Sequence, residues 1–212
     1  HARGPTFPGL SSESAAQPMA FLRSSLGQEP AHLIRGAGLH LRPMVMSDYS
    51  AWAEIRARSR DHLVPWEPEW PRDELTRSAF RRRLRHYQRE ARDDLGYAYM
   101  IVLDGDDQLA GGVTLSNVRR GVTQAASLGY WMGLPYAGRG LMKEAVRALI
   151  PFATRILHLH RIEAATMPSN EASIRVLEAS GFVREGYARQ YLKIAGVWQD
   201  HLLFADVADG ET

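Results

Sequence analysis

The sequence predicts an α+β fold, a mixed and mostly antiparallel sheet with helices on both faces. Three observations carry this. Apolar residues recur with a period of two in some segments and with helical spacing in others, in the order βααβββαβαββ. The early strands follow one another through short turns, as antiparallel neighbours do. Between Ser127 and Ile156 a strand runs into a glycine-rich turn and then into an amphipathic helix.

Taken in order, residues 1–30 are rich in Gly, Pro, Ser and Ala and show no sustained period, so they read as an N-terminal tail. Their first residues, starting at His1, read as carried over from expression, with Met19 a candidate native start. Residues 31–212 read as a single domain. LHLRPM, from Leu39, reads as the first strand. Ser47 or Asp48 is expected to cap a helix reaching about Arg60, with Trp52, Ala53 and Ile55 on its apolar side. Pro65, Pro68 and Pro71 then forbid a continuous helix. A second helix is expected from about Asp73 to Arg92, with Phe80, Leu84, Tyr87 and Ala91 as its stripe. Tyr97–Leu103 and Gln108–Asn117 read as a hairpin around Asp104-Gly105-Asp106-Asp107.

A strand from about Thr123 ends in Leu128, Tyr130 and Met132, which alternate with Gly129, Trp131 and Gly133. After Gly138-Arg139-Gly140, the residues Met142, Ala145, Val146, Leu149, Phe152, Ala153 and Ile156 form the buried face of a helix. Next come a strand at Arg161, a short helix at Asn170, and strands at about Phe182–Ile194 and Val197–Asp206 turning at Ala195-Gly196.

A tight glycine turn between strand and helix leaves N–H groups unpaired at the positive end of the helix dipole. That is an anion site suited to phosphate. A nucleotide P-loop would need Lys and Ser or Thr where this chain has Arg139 and Gly140. A dinucleotide fingerprint would need a glycine where Lys143 stands.

A third reading rests on more residues. Tyr130-Trp131, Tyr136-Ala137-Gly138-Arg139-Gly140-Leu141-Met142, Arg161-Ile162-Glu163, Asn170-Glu171-Ala172-Ser173 and Ser180-Gly181-Phe182 occur in that order. With the EGYARQYLKIAGVWQDH stretch, they make the chain resemble the GNAT superfamily of N-acetyltransferases. The resemblance is to its RimJ/RimL-like branch, from roughly Leu39 to Val207. It implies the GNAT fold, in which the fourth and fifth strands splay apart and the pantetheine arm of acetyl-CoA pairs with the freed edge. Pro135 stands where the superfamily often has Gln or Arg. Since Pro donates no backbone hydrogen bond, phosphate binding is expected from Tyr136 onward.

The resemblance also implies site residues. Ala137, Gly138, Arg139, Gly140, Leu141 and Met142 would take the pyrophosphate through backbone N–H groups. Trp131 and Met132 would lie beside the thioester, where a bulge could aim an N–H at the developing oxyanion. Asn170 would contact pantetheine, although it is also a good helix N-cap. Ser173 would protonate the leaving thiolate. The tyrosine that many relatives carry four residues later is Leu177 here. Glu163 is the first choice of general base, since the late-hairpin position used by some relatives is Leu192. Trp66, Trp70, Tyr97, Tyr191 and Trp198 are expected walls for the acceptor.

Composition narrows the classes. The chain has 212 residues, no Cys and a net charge of +2. It needs no disulfide staple at this size. It has no thiolate nucleophile, and no motif offers metal ligands. Its charge is too mild to argue nucleic-acid binding for the whole chain. No apolar run approaches a transmembrane helix. The absence of Cys agrees with a cytoplasmic protein, expected as a monomer or homodimer. The Arg-rich helix, residues 72–92, could touch the ribosome or simply be solvated.

The expected function is acetyl transfer from acetyl-CoA to the N-terminal α-amine of a protein, such as a ribosomal protein beginning with Ala or Ser. Neutralising an α-amine at pH 7 costs only about 1 kcal/mol, against roughly 4.6 for lysine, so little base strength is needed. Asp61, Glu67, Glu69, Asp73 and Glu74 keep a small-molecule amine acetyltransferase, of antibiotic-modifying type, as an alternative. A non-catalytic acyl-CoA-binding or ribosome-associated module is the third reading.

Overall fold

The structure, a computed structural model, describes residues 33–208. The expected tail over residues 1–30 lies outside them. The strands are β1 (Ile34–Gly36), β2 (Leu39–Pro43), β3 (Tyr97–Leu103), β4 (Leu109–Arg119), β5 (Ala125–Met132), β6 (Arg161–Thr166), β7 (Val183–Ile194) and β8 (Val197–Val207). They form one sheet in the order β1-β2-β3-β4-β5-β6-β8-β7. Every neighbouring pair is antiparallel except β5 and β6, whose connection carries a helix over the sheet. The helices are α1 (Tyr49–Arg58), α2 (Arg60–Leu63), α3 (Arg77–Arg92), α4 (Leu141–Pro151) and α5 (Glu171–Ala179).

Strand alternation feeds two cores. Ile101, Val113, Leu115 and Ala126 pack with Met142, Val146 and Leu149 of α4 on one face. Met100 and Val102 face the other way, against Trp52 and Ile55 of α1 and Phe80 and Leu84 of α3. The period-2 and helical patterns in the sequence match these faces.

The departures from the sequence reading have local causes. β1 was not anticipated, because three residues are too few to show a period. Asp48 does not cap α1. Its carboxylate turns back to accept from Arg42 at 2.7 and 2.9 Å and from the Val45 amide at 2.8 Å. α3 begins at Arg77 rather than near Asp73, where Thr76 accepts from the Ala79 N–H at 3.2 Å. The α4 helix stops at Pro151, and Phe152–Ile156 widens into a π-type turn, with the Leu157 N–H on the Phe152 carbonyl at 3.0 Å. Ile156 consequently leaves the buried face and is 54% exposed.

Candidate active site

β5 and β6 are paired only through Ala125 with Arg161, Ala126 with Ile162, and Ser127 with Glu163. Beyond these residues the strands part, as expected of the splayed pair. A cavity of about 540 Å³ opens in the gap, walled by Leu128–Met132 on one side and Ala164–Met167 on the other. Backbone groups that would have completed the ladder face this space, available to an extended ligand.

The glycine turn borders the same cavity. Gly138 and Gly140 have φ of +73° and +76°, and a Cβ on either would meet no protein atom within 4 Å. The left-handed backbone explains why glycine stands there. The open space on that side admits a ligand close to the chain. Gly140 caps α4, so the first amides of that helix are free to receive an anion. Ala137 through Met142 all line the cavity. Lys143 and Arg175 line it too, adding positive charge that the sequence reading did not assign. These features fit a phosphate-bearing thioester ligand of the CoA kind.

Asn170 caps α5, its Oδ1 accepting from the Ser173 N–H at 3.1 Å. Ser173 therefore sits in the first turn of α5 and lines the cavity. Its Oγ lies 2.8 Å from the phenol oxygen of Tyr130 on β5. Burial pushes the Tyr130 phenol up to about 12, although its bond with Ser173 works in the other direction. The phenol keeps its proton at neutral pH and can donate to Oγ, leaving the serine's own hydrogen for a leaving sulfur. Leu177 is buried in the core, so the hydroxyl beside Ser173 comes from β5 rather than from α5.

Trp131 and Met132 both line the gap. Met132 packs on the α4 side, while the Trp131 ring turns to the other core, 5.0 Å from the guanidinium of Arg56. The expected bulge at these two residues does not occur in their pairing with β4. Ser127–Met132 runs in unbroken register with Ser116–Gly111, and the shift lies at the far end of β4.

Glu163 stands outside the cavity. It lies on the stretch where β5 and β6 are still paired, and its carboxylate takes hydrogen bonds from Arg119 and from Arg161. Burial raises its pKa, but the two arginines outweigh this and hold it below the usual carboxylate range. A carboxylate so placed and so stabilised is a poor direct acceptor for a proton from an amine in the gap.

The expected aromatic walls divide. Trp66 lines the cavity. Trp70 stacks instead on Arg56, 4.5 Å from ring to guanidinium, and donates its indole N–H to Glu67 at 2.7 Å. Tyr97 is tied to Asp94 at 2.8 Å and packs edge-on against Phe152. Trp198 is 56% exposed on the hairpin and does not border the cavity. Tyr191 is half exposed and meets the cavity only through the ring of His201, 5.9 Å away.

The structure adds residues on the acceptor side. His62, Leu63 and Glu67 line the cavity from α2 and the segment after it, and His201 lines it from β8. Glu67 is held by Arg56, which is 2% exposed, in a two-pronged pair at 2.6 and 3.1 Å. The turn of the β7–β8 hairpin reaches the same segment, the Ala195 N–H donating to the Glu67 carbonyl at 2.9 Å. Among the described residues no group of three His, Asp or Glu could hold a metal ion.

A splayed strand pair with a glycine cradle at one wall and a hydroxyl pair at the other defines an acetyltransferase of the GNAT type. Residues 38–183 match the acetyltransferase (GNAT) domain family, and the chain belongs to it as an N-acetyltransferase. It is 37% identical to the probable N-acetyltransferase YjcK of Bacillus subtilis over 173 residues, covering 82% of this chain and 96% of that one. It is 36% identical to the ribosomal protein uS5-alanine N-acetyltransferase of Escherichia coli, covering 76% of this chain and 84% of that one. Among solved structures, Mycobacterium smegmatis RimJ in complex with CoA-disulfide superposes with a TM-score of 0.77 at 33% identity. That match covers 84% of this chain and 87% of that one. The similarity is thus to the RimJ/RimL-like branch.

Proposed function

We propose that the protein transfers the acetyl group of acetyl-CoA to the N-terminal α-amine of a protein, with ribosomal proteins beginning in Ala or Ser as the acceptor class. The observation that carries this reading is the state of Glu67. It is the one carboxylate among the described residues lining the cavity, and Arg56 and Trp70 already occupy it. A site without a free carboxylate base suits an α-amine, whose pKa is near 7.7 to 8.0, better than a lysine near 10.4. The relatives named for ribosomal-protein alanine acetylation support the same acceptor.

The residues divide the work. Amides from Gly138 to Met142 receive the phosphates, with Lys143, Arg175 and Arg139 adding charge. Those of Tyr136 and Ala137, expected to join them, are taken by the carbonyls of Gly133 and Leu134 at 2.9 and 3.2 Å. Asn170 and the freed edges of β5 and β6 hold the pantetheine arm. Ser173, supported by Tyr130, donates a proton to the departing sulfur. Acetyl-CoA itself supplies the activated acyl group.

The antibiotic-type alternative loses three of the five acidic groups it rested on. It relied on an acidic groove, yet Glu67 is paired with Arg56, Glu74 with Arg83, and Asp73 with Arg82. The joined walls at Ala195 and Glu67 also suit an acceptor that enters as a chain end. Thiol release measured over a panel of N-terminal peptides, polyamines and aminoglycosides tests the proposal. Faster turnover of a small amine than of any peptide would overturn it.

We also infer a ribosome contact through α3. Arg81, Arg85 and Arg89 are exposed, fall at four-residue intervals on one face and make no ion pair among the described residues. A phosphate backbone would complement such a row. Replacing the three by Gln should weaken binding to ribosomal RNA and leave turnover of a short peptide unchanged. An acceptor on the ribosome implies a cytoplasmic site of action. No helix among the described residues is long and apolar enough to cross a membrane.

A further inference from the structure

We infer that His201 is the group that takes the proton from the acceptor amine. The inference rests on the acetyltransferase reading above but not on which amine is the natural acceptor.

Of the side chains that line the cavity, few could accept a proton at neutral pH. Glu67 is saturated by Arg56 and Trp70. Tyr130 keeps its proton up to about 12. Arg139, Lys143 and Arg175 are cations with no lone pair to offer. Two imidazoles remain, His62 and His201.

The surroundings of His201 single it out. It is 3% exposed and borders the cavity, so the ring is held almost wholly enclosed in the cavity wall. Its Nδ1 lies 3.0 Å from the carbonyl oxygen of Gln199. A carbonyl only accepts, so in the neutral ring the proton must reside on Nδ1 and the lone pair on Nε2. The ring is therefore held in the tautomer that a base requires. Its place is set by an irregularity in the hairpin, whose register shifts between Ala188, opposite His201, and Leu192, opposite Gln199. The bulge is fastened by Asp200, which accepts from the Gln190 N–H at 2.8 Å and from the Tyr187 hydroxyl. This brings the Tyr191 ring edge-on to His201, 5.9 Å between centroids. Asp200 and Tyr191 of the hairpin lie beside the imidazole, and Glu67 and His62 line the same cavity from the α2 side.

The protons balance. An α-ammonium loses two protons in becoming an amide. His201 Nε2 takes the first, leaving a lone pair that forms the N–C bond as the C–S bond breaks. The second equals the proton that the sulfur gains, supplied through Ser173 and returned to it. The imidazole then releases its proton to solvent. An α-amine, with a pKa near 7.7 to 8.0, gives up this proton more readily than a lysine near 10.4.

His201→Ala should lower kcat/KM by about 10²-fold on whichever amine the wild type turns over. The acetyl-CoA-induced rise in melting temperature should persist, and added imidazole should restore part of the rate. His62→Ala should cost less than His201→Ala, and added imidazole should not restore its rate. If His201→Ala folds poorly, His201→Gln, which can keep a donor toward Gln199, should fold and remain slow. Near-wild-type turnover by either variant would overturn the assignment. So would a slow His201→Ala enzyme that imidazole does not rescue, or a larger loss in His62→Ala. Preference of the wild type for a polyamine over every peptide would instead overturn the acceptor class and leave this test intact.

Discussion

The phenol oxygen of Tyr130 and the hydroxyl oxygen of Ser173 are 2.8 Å apart, one carried by a strand and the other by the first turn of a helix 43 residues later. If this contact orients the serine, removing the phenol should cost roughly one hydrogen bond, about 1 kcal/mol, or five- to tenfold in kcat. Tyr130→Phe is expected to show that loss, and Ser173→Ala a larger one of about 10²-fold. The double variant should be no slower than Ser173→Ala alone, because the two act as a unit. Additive losses in single-turnover assays would mean that the hydroxyls work separately.

The glycine cradle gives a binding prediction. Gly138→Val would force a β-branched residue to φ near +73° and fill the space beside the phosphate-binding amides. Acetyl-CoA should raise the melting temperature of the wild type by binding the folded state. The rise should vanish in the variant. An undiminished shift would remove Gly138 from the cofactor site.

Buried charge gives a stability prediction. Arg56 is enclosed by Trp52, Trp70 and Trp131 and pairs with Glu67. Arg56→Met leaves Glu67 without its partner, at a cost of about 3–5 kcal/mol, or roughly 10 °C in Tm. Adding Glu67→Gln should recover part of this. Thermal melts of the two variants decide the matter.

Glu163→Gln should leave kcat within about twofold and reduce stability by no more than about 1 kcal/mol, since the pair is partly exposed. The sign with pH follows from its lowered pKa. Its stabilising contribution is present above the unfolded value near 4.5 and fades as acid protonates the folded group. Wild type and variant should therefore converge in stability at low pH. A large loss of kcat would return Glu163 to the role of base.

Much of the fold was legible because it rests on period. The alternation of Leu128, Tyr130 and Met132 and the helical spacing of Met142, Ala145, Val146 and Leu149 each mark one buried face. The cradle was legible too, since Gly138 and Gly140 lie close together in sequence. What the sequence hid were meetings between distant elements. Glu163 stands on a strand bordering the gap, and only the register with Ser127 puts it at the closed end. Tyr130 was visible as part of a strand, but its partner is set by how α5 packs. His201 depends on a bulge whose residues, Arg189 to Tyr191, carry no glycine to announce it. Lys143 could have been found, being three residues beyond the glycine that caps α4.

The central claim is that the acceptor is an N-terminal α-amine. The most direct measurement compares acetyl transfer to a peptide with a free N-terminal Ala or Ser against the same peptide with a blocked N-terminus and an internal Lys. The free peptide should be acetylated at least about 10²-fold faster near pH 7, a smaller factor than the full difference in amine pKa would allow. Its rate should rise with pH and flatten near the α-amine pKa. Equal rates on the two peptides would contradict the account.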